Sequence, residues 1–214
     1  MQYANEVEKG WELSSSILGA DIAANMGSDY VSRVEEAIRQ LEENINNHEY
    51  RNLGVKQLQG YMLEEWSAGT FNVDAVAADS TDRAVVQHSL GKDSVDIILD
   101  SGKEISAKSY ATAEQTAKAQ ARVNIESGEA SYKGMDRLVP SDKLDAAKAE
   151  AHRQALRNEP IRKNVSDSYD ETEHKLTDTV KNEDGISSKS ASRKDLDKSL
   201  RKAKIRNSKQ KTMV

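Results

Sequence analysis

Apolar side chains fall at Val31, Val34, Ile38, Leu41 and Ile45, spaced 3, 4, 3 and 4 residues apart. That spacing places one apolar stripe on a helix. Ser28 and Asp29 supply an N-cap and a favourable first-turn charge, and Asn46-Asn47 mark an exit. Residues 1–27 read as weakly helical and are interrupted by Gly10, Gly19 and Gly27. A second helix is expected over Gly54–Trp66, with Val55, Leu58, Met62 and Trp66 on one side, followed by a turn through Ser67–Asp74. From Arg83 the pattern becomes strand-like: Val85-Val86, then Ser94–Asp100 and Glu104–Tyr110 joined by the turn signal Asp100-Ser-Gly-Lys103. Helix returns over Ala111–Glu126, Ser127–Pro140 reads as loop, and Asp142–Arg157 forms a last helix that stops before Pro160. Beyond it, Leu176 and Val180 support one marginal turn. The expected architecture is α/β (α+β): a small mixed sheet with a hairpin flanked by helices. It divides into an N-terminal helical region (1–52), an α/β core with its following helices (53–158), and a polar, largely disordered tail (159–214).

Hairpin register decides what the strands can do. A three-residue loop, Asp100-Ser101-Gly102, with Gly102 left-handed, pairs Leu99 with Lys103. Asp96 then lies opposite Ser106, with Lys108 as its diagonal neighbour. A two-residue loop would put Asp96 and Lys108 on different faces. Burial of Ile105 and Ala107 together with Ile97 and Leu99 favours the three-residue loop.

Composition narrows the class. Apolar residues make up 36% of the 214, against a usual share of about 45–50% counting Gly, so one core does not extend through the whole chain. Charge is uneven: Ile186–Val214 holds 10 Lys+Arg and 2 Asp+Glu, while the remainder carries a net charge of -13. A basic tail on an acidic body suits contact with nucleic acid or an acidic partner, and Gly185–Val214 is expected to be flexible. No apolar run reaches the ~18 residues of a membrane span, and no signal peptide opens the chain. The absence of Cys excludes disulfides and thiolate chemistry and fits a bacterial cytoplasm. The four His are too dispersed for a local zinc motif. Ser89, Ser94 and Ser106 lack an adjacent His–Asp system, and Gly91-Lys92-Asp93-Ser94 lacks the first glycine of a phosphate loop.

An acid on one strand and a Lys on the next suit phosphodiester chemistry. The carboxylate holds Mg²⁺, and the Lys polarises the phosphate or orients water. A helix carboxylate, Glu64 or Glu65, completes the metal site. Asp96 followed by Ser106-Ala107-Lys108, with the helix Gly60-Tyr-Met-Leu-Glu64-Glu-Trp, resembles the PD-(D/E)XK nuclease superfamily, whose core motif is an acid, a hairpin turn, then acid-x-Lys. Gln57–Ala75 with the later S-V-D-I and K-S-Y also resembles bacterial restriction-endonuclease-like proteins of mobile elements. The resemblance spans roughly residues 53–125. It implies a restriction-endonuclease-like fold and a metal-dependent DNA endonuclease using Mg²⁺ or Mn²⁺. Glu64 and Asp96 would be metal ligands, with Glu104 second-rank, and Lys108 the phosphate or water partner; Tyr110 and Lys118 would contact the nucleic acid backbone. Ser106 departs from the pattern, standing where the middle acid belongs. The other class is a non-catalytic interaction or structural protein of a phage or mobile element that docks on a protein partner. In it, Asp96 and Lys108 are a cross-strand ion pair and Glu64 a solvated helix carboxylate. Trp66 and Phe71 are expected to close the core, and His88 to be a surface or packing residue.

Overall fold

The computed structural model describes residues 28–46, 55–87 and 93–199. Contacts divide the chain into a unit of residues 1–36 and a unit of residues 37–214, and the second contains the sheet. The expectations for residues 1–27 and for His88 lie outside the described residues.

Helix α1 (Ser28–Asn46) spans the predicted stripe; Leu41 is buried, Val34, Ile38 and Ile45 are half-buried, and Val31 is exposed with Tyr30 buried beside it. Helix α2 (Val55–Ala77) runs eleven residues past the expected stop at Trp66. Its interior explains why: Leu63, Phe71 and Ala75 are fully buried, and tertiary burial outweighs the weak helix propensity of Ser67, Gly69 and Thr70. Gly69 is required by close approach, since a Cβ there would collide with the Leu41 side chain. The helix ends on Asp79 at φ 54, with Ser80 N–H on Ala75 O at 2.9 Å and Asp79 N–H on Val76 O at 3.1 Å.

Five strands follow: β1 (Ala84–Val86), β2 (Ile97–Leu99), β3 (Glu104–Ala107), β4 (Asp136–Leu138) and β5 (Leu176–Thr177). They lie in the order β1-β2-β3-β4-β5. The first three form an antiparallel meander, whereas β4 and β5 pair parallel to their neighbours. Helix α3 (Ala113–Gln120) makes the β3–β4 crossover. A 3₁₀ turn, α4 (Leu144–Asn158) and α5 (Lys163–Lys175) make the β4–β5 crossover. Parallel neighbours need such crossovers. Asn72 of α2 protects the β1 edge: its amide bonds the Ala84 carbonyl at 2.9 Å and accepts the Ala84 N–H at 2.7 Å.

The hairpin has the register that places Ile97 opposite Ile105 and Ile98 opposite Glu104. Leu99 N–H bonds Lys103 O at 2.9 Å, and Gly102 adopts φ 85, so the loop is the three-residue form. Strand β4 falls in the stretch read as loop. Asp-Arg-Leu carries no alternating signal, yet the strand lies between β3 and β5 with Arg137 and Leu138 fully buried.

Two apolar clusters hold these layers together. Leu58, Met62, Leu63 and Phe71 of α2 pack on Ile97, Leu99, Ile105 and Leu138, with Trp66 against them. Ala117, Val139, Ala147, Ala151 and Leu176 form the second, among α3, α4 and β5.

The chain beyond Pro160 corrects the expectation of a disordered tail as far as residue 199. Helix α5 and strand β5 belong to the fold, and residues 193–199 form a further helix, α6. Val180, Ala191 and Leu196 insert singly into the first cluster. The segment is strapped along α2: Lys189 N–H bonds Thr70 Oγ1 and Trp66 Nε1–H bonds Lys189 O, each at 3.0 Å, while Lys189 Nζ reaches Asp74 Oδ2 at 3.2 Å. Side chains satisfy its irregular backbone, as where Val180 N–H bonds Ser188 Oγ at 2.8 Å. The ordering cost is met by a few well-placed apolar anchors, which average composition does not register. The basic residues 200–214 lie outside the described residues. Among the described residues no helix is long and apolar enough to cross a membrane.

Leu196→Ala tests the strap. Truncating a buried Leu costs about 2–5 kcal/mol, so the urea midpoint falls with an unchanged m value. A loss within the ±0.5 kcal/mol typical of surface sites would show that the strap is not part of the core.

Candidate functional site

The site begins with the backbone around Asp96. Its N–H bonds the Ile105 carbonyl at 3.0 Å, although Ile97 is the registered partner of Ile105. Two residues of one strand thus face one of the next, the pattern of a β-bulge, which re-aims a side chain. The Asp96 carbonyl accepts the Gln87 N–H at 2.8 Å, so the residue is held from both neighbouring strands.

The bulge turns the carboxylate onto the end of β3. Asp96 Oδ2 accepts the Ala107 N–H at 2.6 Å, the Lys108 ammonium at 2.7 Å and the Ser106 hydroxyl at 3.3 Å. Lys108 N–H faces the other way and bonds Leu138 O at 3.0 Å on β4. Gln120, fully buried at the end of α3, donates Nε2 to Ser106 O at 3.1 Å and Leu138 O at 3.2 Å, tying β3 to β4 beneath the site. The side chains of Lys108 and Asp96 are 19% and 15% exposed. Theirs is therefore a sheltered, charge-assisted pair, unlike exposed pairs worth about 0–1 kcal/mol.

Glu64 comes to this pair from α2. It is 8% exposed. Burial, then the charge of Asp96, pushes its carboxyl up to about 8, with Glu65 adding in the same direction and Lys108 opposing. At neutral pH the folded protein holds Glu64 mostly protonated. For Lys108, burial pulls the ammonium downward, but the Asp96 charge, Tyr132 and the Asp96 hydrogen bond outweigh it, and the net direction is upward. Tyr132 lies beneath this Lys, its ring centroid 4.9 Å from Nζ.

No family model, curated protein or solved structure matches the chain.

Asp96 and Lys108 form a direct ion pair, and Glu64 lies near enough for both charges to act on its carboxyl. Glu64 is buried rather than solvated. The other candidates are placed elsewhere. Glu104 is exposed at the first position of β3, opposite Ile98. Among the described residues no group of three His, Cys, Asp or Glu side chains is arranged to hold a metal, so Glu104 does not join Glu64 and Asp96 in one. Tyr110 is exposed between β3 and α3, and Lys118 is exposed on α3. Ser106 is fully buried and takes part through its hydroxyl and carbonyl.

Tyr132 and Gln120 are the residues that sequence reading misses. Tyr132 sits in a stretch rich in Ser and Gly that signals only loop. Gln120 is one of several polar residues in an Ala-rich helix. Neither has a local pattern pointing to the hairpin.

The raised Glu64 carboxyl makes stability depend on pH. Below 4.5 the group is protonated in both states and its contribution to folding is fully present. As pH rises from 4.5 to about 8 the unfolded chain releases this proton first, so that contribution is lost. The stability difference between Glu64→Gln and wild type should therefore widen in favour of the variant over this interval, by on the order of a few kcal/mol. Urea titrations from pH 5 to 9 measure it; parallel curves would show that Glu64 ionises freely.

Proposed function

We propose that the chain is a metal-dependent nuclease of restriction-endonuclease type acting on DNA, with Glu64, Asp96 and Lys108 as its working groups. The observation that carries this reading is a sheltered Asp96–Lys108 ion pair with a buried helix carboxylate, Glu64, near enough for both charges to act on it. A purely structural cross-strand pair does not require a second buried acid whose charge opposes the first.

The donor set suits a hard cation. Mg²⁺ is commonly held by one or two carboxylates together with water and substrate phosphate oxygens. Glu64 and Asp96 supply two, and their mutual repulsion is what a divalent ion would relieve. Bound there, Mg²⁺ or Mn²⁺ would polarise a phosphate oxygen and acidify a bound water. Glu64 must lose its proton to become a ligand. Asp96 is oriented by its bonds to Ala107 N–H and Ser106. Its Oδ1 takes no part in the three bonds that fix Oδ2. A cation held there would neutralise the acids and leave the Lys108 ammonium, kept beside Asp96, to face the scissile phosphate.

A second reading has its own support. Ser106 stands where the resemblance expects an acid, and Lys108 already balances Asp96, which suits a scaffold that docks on a protein partner without catalysis.

Plasmid and single-stranded DNA incubated with Mg²⁺, Mn²⁺ or EDTA separate the two. The nuclease reading expects cation-dependent cleavage and about 2.7 kcal/mol of stabilisation at one hundred times the cation dissociation constant. Asp96→Asn should remove both effects and keep the fold at reduced stability, because the amide oxygen still accepts the Ala107 N–H while Lys108 loses its counterion. Lys108→Ala should remove cleavage and leave the cation-induced stabilisation equal or larger. A wild type that shows neither effect and an Asp96→Asn variant that behaves identically would leave the scaffold reading in its place.

A further inference from the structure

The Lys108 ammonium has a neighbour that the Glu64–Asp96 reading leaves unused. Tyr132 is 4% exposed and lies between α3 and β4, on a segment with no regular structure of its own. A cation within about 6 Å of an aromatic centroid is attracted to the ring face, and Nζ is 4.9 Å away.

The backbone that carries the ring is held by a turn, by β4 and by α5. Tyr132 starts a tight turn in which Met135 N–H returns to Tyr132 O at 3.2 Å, and Gly134 takes φ 80. Arg137, fully buried on β4, donates Nη2 to the same carbonyl at 3.4 Å. Its guanidinium is fixed by Glu171 Oε2 at 2.7 Å, Ser168 O at 3.0 Å and Thr172 Oγ1, all on α5. Glu171 closes the clamp by accepting the Gly134 N–H through Oε1 at 2.7 Å. One carboxylate of α5 thus grips the turn twice, once directly and once through the buried Arg. Through the buried Arg137 guanidinium and the Glu171 carboxylate, α5 holds the backbone at Tyr132 and Gly134.

We propose that Tyr132 is a positioning residue for Lys108, holding the ammonium against Asp96, and that the Arg137–Glu171 clamp fixes Tyr132 for this purpose. The inference rests on the reading of Lys108 as the phosphate-facing group, but the placement itself can be measured without catalysis. The ring gives Lys108 two contacts, Asp96 Oδ2 and an aromatic face, which narrow its rotamers. A Lys restrained in this way meets a phosphate in one orientation, so the effect should appear in turnover rather than in binding.

The test is nuclear magnetic resonance of the lysine side-chain methylenes in the full chain, with Lys108 assigned by Lys108→Arg. In wild type the Lys108 Cε methylene should be shifted upfield by the ring current of Tyr132. Tyr132→Phe should keep the shift, Tyr132→Leu should abolish it, and Glu171→Gln should reduce it, with amide spectra of the β2 and β3 strands showing the fold retained. If Tyr132→Leu does not fold, the Phe and Gln variants carry the comparison. In cleavage assays Tyr132→Leu should lower kcat about tenfold with KM unchanged, and Tyr132→Phe should restore most of the rate. Lys108 resonances at the position of solvent-exposed lysines in wild type, unchanged by Glu171→Gln, would overturn the proposal. A cleaving wild type whose kcat is the same in Tyr132→Leu would also overturn it. A wild type with the ring-current shift but no cleavage supports the placement of Lys108 by Tyr132 and counts against the nuclease reading alone.

Discussion

Asp96 Oδ2 is the point at which the strands, the hairpin and the charged side chains meet. It accepts a backbone N–H that the end of β2 leaves without a strand partner, and it balances a sheltered ammonium. Without the β-bulge that places Asp96 and Ile97 together against Ile105, the carboxylate would stand on one face of the sheet and miss the end of β3. The ladder would then leave the Ala107 N–H without this acceptor, and Lys108 without its counterion. Both losses are costly in a sheltered place, since an unpaired buried donor costs about 1–3 kcal/mol and an unpaired charge more. One oxygen thus links strand geometry to site chemistry.

Beside it the fold buries a second ionisable group. Glu64 is buried near a second carboxylate, and its proton is retained because ionisation there is opposed by desolvation and by Asp96. A sequence selected for stability alone would place an apolar side chain at that turn of α2, where Leu63 and Ala68 are already buried. Perturbed acids beside a specific charge partner are common at functional sites. The tension here is local, confined to Glu64, Asp96 and Lys108, while the rest of α2 is secured by Phe71, Ala75 and the strap of residues 186–199. The strap matters because α2 carries Glu64: any looseness of α2 against β2 and β3 would separate the two acids. Thr70, Trp66 and Asp74, all bound by Lys189, lie within three turns of Glu64 on the same helix. The acidic body and the basic end of the chain fit either partner class, so net charge does not distinguish them.

Several features were determined by the sequence itself. The 3-4-3-4 stripe of Val31, Val34, Ile38, Leu41 and Ile45 makes α1, because a 3.6-residue period leaves little else possible. Asp100-Ser101-Gly102 specifies the hairpin loop, since Gly102 alone accepts φ 85 without strain. The odd loop then sets Asp96 and Lys108 near each other on the hairpin, and the bulge at Asp96 completes their contact. An acid on the preceding helix is legible as Glu64 or Glu65, and Glu64 is singled out by the nuclease resemblance rather than by any local pattern.

Other features were decided only by tertiary structure. Continuation of α2 through Ser67, Gly69 and Thr70 depends on burial against Leu41 and the sheet, which no local propensity encodes. Strand β4 exists because β3 and β5 supply partners on both sides; Asp-Arg-Leu has no pattern of its own. The segment after Pro160 has too few apolar residues to predict order. It nevertheless folds, because Leu176, Val180, Ala191 and Leu196 each join an apolar cluster built by other elements. Tyr132 meets Lys108 across 24 positions of sequence through a turn gripped by Arg137 and Glu171. Local signals report periods and turns within a few residues. Contacts made by single, isolated side chains at long range leave no period to read.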